Sequence, residues 1–298
     1  MNGILLIDKP ADFTSFDVIA KVRGISRFRK IGHGGTLDPQ ATGVLPLFFG
    51  QATRAVDILP DTRKRYHATF RLGYTSNTQD IWGELTPVEG PLPSPEEVIA
   101  AAESFRGHSM QLPPMVSAVQ VGGVRLYDLA RQGLEVEREA RPIFLEDLSC
   151  RYDEISGEYR IAVTCSKGTY IRTICHDIGQ KLGCGAVLTS IRRTMSAGFD
   201  QKSCHTLEEL QKAAAEGQFE SLLLPTELAF LSLPKITLNP FQTKLYSNGA
   251  SLDLNRMPPI REAGEFFRIA GADGEFIGIG QRIPATRELK PFKTLWGR

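Results

Sequence analysis

No apolar run in the sequence approaches the ~18 residues of a membrane-spanning helix. The opening residues, MNGILLIDKPAD, carry no basic stretch ahead of the apolar one, and Asp8 interrupts it. A secretory leader is therefore not expected, and a cytoplasmic location is. The five cysteines (Cys150, Cys165, Cys175, Cys184, Cys204) are scattered and form no CxxC pair. That spacing suits neither a disulfide framework nor a zinc site, so reduced, structural thiols are expected. The sequence also lacks GxxxxGK[ST], HExxH, GxSxG and GxGxxG. Nucleotide, zinc-protease, hydrolase and dinucleotide readings lose their main support, and no cofactor or metal is expected. Charge of one sign is missing too: 35 basic residues stand against 34 acidic ones.

What is present is an ordinary globular composition, 42% hydrophobic and 23% charged, which argues against wholesale disorder. The charge is uneven along the chain. KVRGISRFRK (21–30) has five basic side chains and no acid, TRKRY (62–66) has three, and residues 281–298 have five against Glu288. Phe28, Tyr66, Phe292 and Trp296 interleave with these runs, a pattern suited to a polyanion surface.

Thr14, Ser94 and Thr206 stand where helices should start, the last two with glutamate three residues on. Ile171, Ile174, Cys175, Ile178 and Leu182 are spaced for a helix over 170–182. Tyr159 to Cys165 alternate as a strand, and Asp273-Gly274 between FFRIA and EFIGI predicts a hairpin. The mixture lacks a βαβ rhythm, so the expected class is α+β with a mixed, largely antiparallel sheet. Pro225, Pro234 and Pro240 mark a boundary. The expected division is 1–230 and a small β-rich domain over 235–298.

Ile31 to Gly50, IGHGGTLDPQATGVLPLFFG, stands out. Glycines permit tight turns and close approach of another molecule to the backbone. Asp38 is the single acid in the stretch, and Pro39 holds it extended or in a turn. A lone carboxylate beside cations suits a nucleophile; an Asx-turn would explain it equally.

Gly32-His33-Gly34-Gly35-Thr36-Leu37-Asp38-Pro39, with Ala41 to Leu45, resembles the catalytic motif of the TruB family of pseudouridine synthases. Gly3 to Pro10 resembles the family's N-terminal motif. Lys64-Arg65-Tyr66 with Thr78 to Gly83 is similar to a second motif, and Gln111 to Pro114, Ser117-Ala118-Val119 and Tyr127 to Arg131 to a third. Ser166 to Arg172 and Leu188 to Arg193 complete the set, in the family's order. Gly34, Gln40 and Gln120 depart from the usual residues and leave the loop packing open.

The resemblance implies isomerisation of uridine 55 in the T-loop of tRNA, flipped out of its stack, without a guide RNA. The long basic extensions of guide-dependent relatives are absent here. It implies Asp38 as the catalytic carboxylate; attack at C1′, attack at C6 and base action on the ribose all stay open. Arg172 matches its arginine partner, needed to keep a buried carboxylate ionised. Tyr66 matches the tyrosine that stacks on the base and assists removal of the C5 proton. Tyr170 and Ile191 match pocket positions, and His33 a residue that organises the flipped loop. For these residues plain structural roles compete: a surface arginine on its own helix, a strand-edge tyrosine, core packing. Asp80 and Asp177 are weaker candidates for a second carboxylate. The tail resembles a PUA-type RNA-binding domain. The 113–133 segment reads as a mobile element that closes over the T-arm. The expected partner is the tRNA T-arm stem-loop, with no membrane, and the expected state is a monomer. The rival reading is an RNA-folding chaperone or ribosome-assembly factor in which catalysis is incidental.

Overall fold

The computed structural model describes residues 1–117, 119–257 and 264–296; of the residues singled out above, Ala118 and Arg298 lie outside them. The contacts divide the chain into two units. One comprises Met1–Pro39, Val44–Thr62 and Ala197–Arg298, the other Gln40–Gly43 and Arg63–Ser196.

The first unit opens with β1 (Gly3–Lys9), α1 (Ser15–Ser26), β2 (Ile31–His33) and β3 (Thr42–Phe49), whose first two residues belong to the second unit. β1 is buried along almost its whole length, as an apolar run with no alternation should be. Thr14 and Asp17 close a capping box at the start of α1: the Asp17 amide donates to Thr14 Oγ1 at 3.0 Å, and the Thr14 amide to Asp17 Oδ2 at 2.8 Å. Such a cap contributes about 1 kcal/mol. Val18, Ile19 and Val22 form the buried stripe of the helix. β2 runs antiparallel to β3, with His33 opposite Leu47.

The second unit is built on one sheet. Its strands are β4 (Lys64–Leu72), β7 (Gly107–Gln111), β10 (Arg141–Asp153), β11 (Glu158–Cys165) and β12 (Ala186–Ser196). Two small hairpins, β5 (Tyr74–Ser76) with β6 (Leu85–Pro87) and β8 (Gln120–Val121) with β9 (Val124–Arg125), stand apart from it. The order is β12-β4-β11-β10-β7, antiparallel at every step, and Thr42-Gly43 run parallel to Arg192-Arg193. This is the mixed, largely antiparallel sheet that the sequence pattern predicts. Helix α2 (Pro95–Glu103) lies on β10 and α4 (Ile171–Lys181) on β12; α3 (Leu126–Arg131) is short. Ser94 and Glu97 form the expected capping box of α2. On β4, Tyr66, Ala68, Phe70 and Leu72 are buried while Arg65, His67 and Arg71 are exposed. The Phe70 and Tyr159 rings stack at 5.2 Å in this core. Cys150, Cys165, Cys175 and Cys184 are buried as well, and burial pushes the Cys165 thiol up to about 11.

The first unit resumes with β13 (Phe199–Asp200) and α5 (Leu207–Ala215), capped by Thr206 and Glu209 as expected. A β-rich region follows, with strand order β14-β16-β17-β18-β15. These strands are β14 (Lys235–Thr237), β15 (Leu252–Asp253), β16 (Phe266–Ala270), β17 (Phe276–Ile283) and β18 (Glu288–Thr294), with α6 (Pro240–Ser247) beside them. β16 and β17 form the expected hairpin; Gly274 takes φ +82°, and Asp273 Oδ1 accepts from the Glu275 amide. Leu238, Tyr246, Phe267, Ile277 and Leu289 make one core of this region. Ile279 and Leu295 belong to another, shared with Ile4, Leu6, Phe48 and Phe230.

Candidate active site

The Gly-rich stretch becomes β2, a loop and β3, with all but Gln40–Gly43 in the first unit. Asp38 lies in the loop and its side chain is exposed, so the burial assumed for it from sequence does not hold in this structure. Its two neighbours are fixed. The Leu37 amide donates to Ser15 Oγ at 2.9 Å, and Ser15 Oγ donates back to the Leu37 carbonyl at 3.3 Å. On the other side, Lys9 Nζ donates to the Pro39 carbonyl at 2.9 Å. The same ammonium donates to the carbonyls of Pro10 at 2.8 Å and Phe13 at 2.5 Å. Lys9 and Ser15 are fully buried. A buried lysine is tolerated only when its charge is solvated by protein dipoles, and three carbonyls do this here. Asp38 is thus an exposed residue on a backbone held on both sides.

His33 ends β2. Its Nδ1 accepts from the Gly35 amide at 3.2 Å, and Phe16 meets it edge-on at 5.4 Å. Gly34 fits tightly: a Cβ there would lie 3.0 Å from the Phe48 ring, which gives the departure at this position a local reason.

In the second unit, β4 and β12 carry Tyr66 and Ile191. Tyr66 is opposite Arg193, and Ala68 opposite Ile191. Side chains alternate along a strand, so Tyr66 and Ile191 share one face of the sheet. β4 lies between β12 and β11, so Tyr66 is on an interior strand and not at the strand edge that the structural reading supposed. Gly43 also contacts β12. It takes φ +100°, and a Cβ would fall 2.2 Å from the Arg193 carbonyl oxygen, so this position accepts glycine alone.

Tyr170 is the N-cap residue of α4. The buried Gln111 amide grips its main chain from both sides. Gln111 Oε1 accepts from the Tyr170 amide at 2.8 Å, and Gln111 Nε2 donates to the Tyr170 carbonyl at 3.0 Å. Arg172, two residues on, is buried, which overturns the reading of a surface arginine bonded to its own helix. Its guanidinium donates to the Thr78 carbonyl at 2.8 Å and to the Val116 carbonyl at 3.0 Å. Asp80 Oδ2 lies 3.7 Å from Arg172 Nη1. Asp80 Oδ1 is occupied by Thr78 Oγ1 at 2.6 Å and by the Trp82 amide at 3.1 Å. These bonds make Asp80 a structural anchor. Asp177 lies on α4, and partial burial pushes its carboxyl up to about 6.

Lys9, Ser15 and Gln111 act on this frame without having been assigned roles from sequence. One signal was available for Lys9: a cation closing a buried apolar strand, directly before proline. Among the described residues, no group of three or more His, Cys, Asp or Glu side chains is arranged to hold a metal ion.

Residues 23–171 match the model of the TruB family pseudouridylate synthase N-terminal domain. Residues 172–231 match that of the tRNA pseudouridylate synthase B C-terminal domain. The protein named tRNA pseudouridine synthase B from Bacillus velezensis is 38% identical over 99% of this chain and 98% of its own length. Its namesake from Geobacillus kaustophilus is 40% identical over 96% and 100%. Among solved structures, the crystal structure of a Cbf5-Nop10-Gar1 complex has a chain of TM-score 0.74 and 25% identity, covering 99% of this chain and 85% of that one. Fold and sequence together define an isomerase of the pseudouridine synthase class. The chain belongs to the TruB family within it.

Proposed function

We propose that this protein isomerises uridine 55 in the T-loop of tRNA to pseudouridine, flipping the base out of the loop and using no guide RNA. The observation that carries the reading is the presentation of Asp38. Its loop is fixed through Leu37 and Pro39 while the residue itself is exposed, as a group acting on a large external substrate requires. The names of the relatives above supply the tRNA class.

The reaction breaks the N1–C1′ glycosidic bond and joins C5 to C1′ after the uracil turns. C5 loses a proton and N1 gains one, so no atom or electron is exchanged with a cofactor. In this reading Asp38, Tyr66 and Arg172 form the catalytic set. Asp38 acts in the glycosidic step. Tyr66 stacks on the uracil and assists removal of the C5 proton. Tyr170 and Ile191 line the base pocket, and His33 binds the flipped loop. An extruded base costs a few kcal/mol of lost stacking, which phosphate contacts along the arm offset.

Residues 1–230 are the catalytic part in this proposal. Residues 235–298 are a PUA-like RNA-binding part, supported by Lys290, Lys293, Phe292 and Trp296. The 113–133 segment closes over the T-arm. The protein acts as a monomer in the cytoplasm. No helix among the described residues is long and apolar enough to cross a membrane.

The test is incubation with an unmodified T-arm stem-loop and with a full tRNA transcript, followed by mapping of pseudouridine. Modification at position 55 of both, with no added RNA, is expected. Product at another position, or dependence on a second RNA, refutes the specificity claimed here.

A further inference from the structure

Strand β4 presents two chemistries. Tyr66 points to one face of the sheet, and Arg65, His67 and Arg71 lie on the other, exposed. The register shows how that second face is laid out. One row across the sheet is Arg192, His67, Ala162 and Ser149. The next is Ser190, Thr69, Arg160 and Arg151. Arg151 and Arg160 stand together towards β10 and Arg192 towards β12, with the small residues Thr69, Ser190, Ala162 and Ser149 among them. A cavity of about 810 Å³ opens on this floor.

A solvated face of an antiparallel sheet is ordinarily polar, with charges of both signs interleaved. The cross-strand pairing here goes beyond that. Arg151 and Arg160 are direct partners across the β10/β11 ladder, and Arg192 is the direct partner of His67. The Arg151–Arg160 opposition sets like charges across the ladder, which destabilises a sheet unless an anion lies between them. Only one of the two opposed arginines has its charge met locally: Arg160 is bonded to Asp153, and Arg151 forms no ion pair among the described residues. Small floor residues let a chain lie flat on the sheet; longer ones would hold it off.

We propose that this face of the second unit, opposite the one carrying Tyr66, is a second RNA-binding surface that takes a ribose-phosphate backbone. Arg151, Arg160 and Arg192 contact phosphates, and Ser149, Thr69 and Ser190 supply hydroxyls at the floor. Contacts of this kind carry no base sequence, so the surface binds RNA by charge and shape. It rests on the function proposed above only for the kind of polymer, and it adds a surface for a segment other than the target loop.

The test uses the full chain with Arg151→Ser and Arg160→Ser combined, and an unmodified tRNA transcript as probe. Affinity is read by fluorescence anisotropy over a salt series. Removing two phosphate contacts should lower the slope of log K against log salt by roughly 1.5. Turnover of the isolated T-arm stem-loop should stay within twofold of wild type. A second pair, His67→Ser with Arg71→Ser, reads the same face from β4 and should lower the slope in the same direction. If both folded variants keep the wild-type slope, the surface does not bind RNA. A variant that keeps its RNA slope but loses binding to polyglutamate assigns the face to an acidic protein and overturns the proposal. The two readings fail separately. Absence of pseudouridine from wild-type reactions refutes the proposed function, and an unchanged slope beside normal turnover refutes this surface alone.

Discussion

Lys9 Nζ and the Pro39 carbonyl oxygen are 2.9 Å apart, and thirty residues of chain separate them. Through this bond the last residue of β1 fixes the residue that follows Asp38. We predict that Lys9→Met, which keeps the aliphatic stem, costs about 3 kcal/mol or more by leaving buried carbonyls without this donor. Urea denaturation measures the loss. Turnover should fall through kcat, with KM little changed, because the carboxylate loses its fixed backbone. Wild-type stability in this variant would remove the clamp from the account.

Asp38→Asn is nearly isosteric and removes the charge. It should abolish isomerisation and leave tRNA affinity within a few-fold of wild type. Tyr66→Phe keeps the stacking face and should also bind normally while turning over far more slowly. Single-turnover assays beside equilibrium binding separate the two effects. Near-normal rates for the asparagine variant would reassign the chemistry. They would also favour a protein whose main work is RNA folding.

Arg172→Ala should be destabilising by about 3–5 kcal/mol, since Asp80 stays behind in a largely buried position without this cation. Arg172→Lys should cost less but still lose activity, because an ammonium cannot reproduce the fork to Thr78 and Val116. Thermal melts and stem-loop turnover check both. A lysine variant with full activity would show that charge alone is needed there.

Asp177 gives a pH dependence with a definite sign. Its carboxyl is raised from 3.8 to about 6 by burial, so the folded protein holds this proton more tightly than the unfolded chain. The associated stability is fully present below about pH 4 and is lost as pH rises towards 6. Asp177→Asn should remove that slope and stabilise the protein at pH 7 by about 1 kcal/mol, after allowance for partial solvation. His176 acts in the opposite direction, since burial lowers its pKa and disfavours the folded state at acid pH. Denaturation midpoints of both proteins from pH 4 to 7 provide the measurement. Equal midpoints at pH 7 would contradict the expectation.

Removing residues 235–298 is a poor test of RNA binding. Ile279 and Leu295 pack with Ile4, Leu6, Phe48 and Phe230, and the deletion would expose them. Each large apolar side chain uncovered costs about 1.5–3 kcal/mol, so the truncated chain should melt far below wild type or aggregate. Lys290→Ser with Lys293→Ser leaves the core alone. It should raise KM for full tRNA with kcat unchanged and have little effect on the stem-loop. A truncated chain that melts like wild type would show that this packing contributes little.

Local signals were readable in the sequence because cause and effect lie within a few residues. Ser94 with Glu97, Thr206 with Glu209, and Asp273-Gly274 each specify their own turn of chain. Alternation from Tyr159 to Cys165 gave a strand for the same reason. The frame of the candidate site was not readable in this way. Lys9, Gln111 and Arg172 act on main-chain carbonyls and amides, which every residue carries and no residue type advertises. Gln111 reaches Tyr170 across 59 positions, and Arg172 reaches Thr78 across 94. Family motifs marked these residues as a group; only the folded chain shows what each one holds.

The first unit is interrupted in sequence: residues 63–196 lie between its early and late parts. During synthesis, β1 can pair with β3 early, but its other edge must wait. Ile4 pairs with Leu224 and Ile7 with His205, so the buried N-terminal strand emerges long before those residues exist. At ribosomal speeds that interval is roughly ten to forty seconds. Throughout it, the run GILLI has only β3 as a strand partner, and its other edge stays open, the kind of edge that chaperones hold and aggregates recruit. The second unit also needs Thr42-Gly43 beside Arg192-Arg193, a parallel pairing that closes a loop of about 150 residues. Neither unit can be completed until about two-thirds of the chain has been made, and yield in the cell should depend on elongation rate and on chaperone supply.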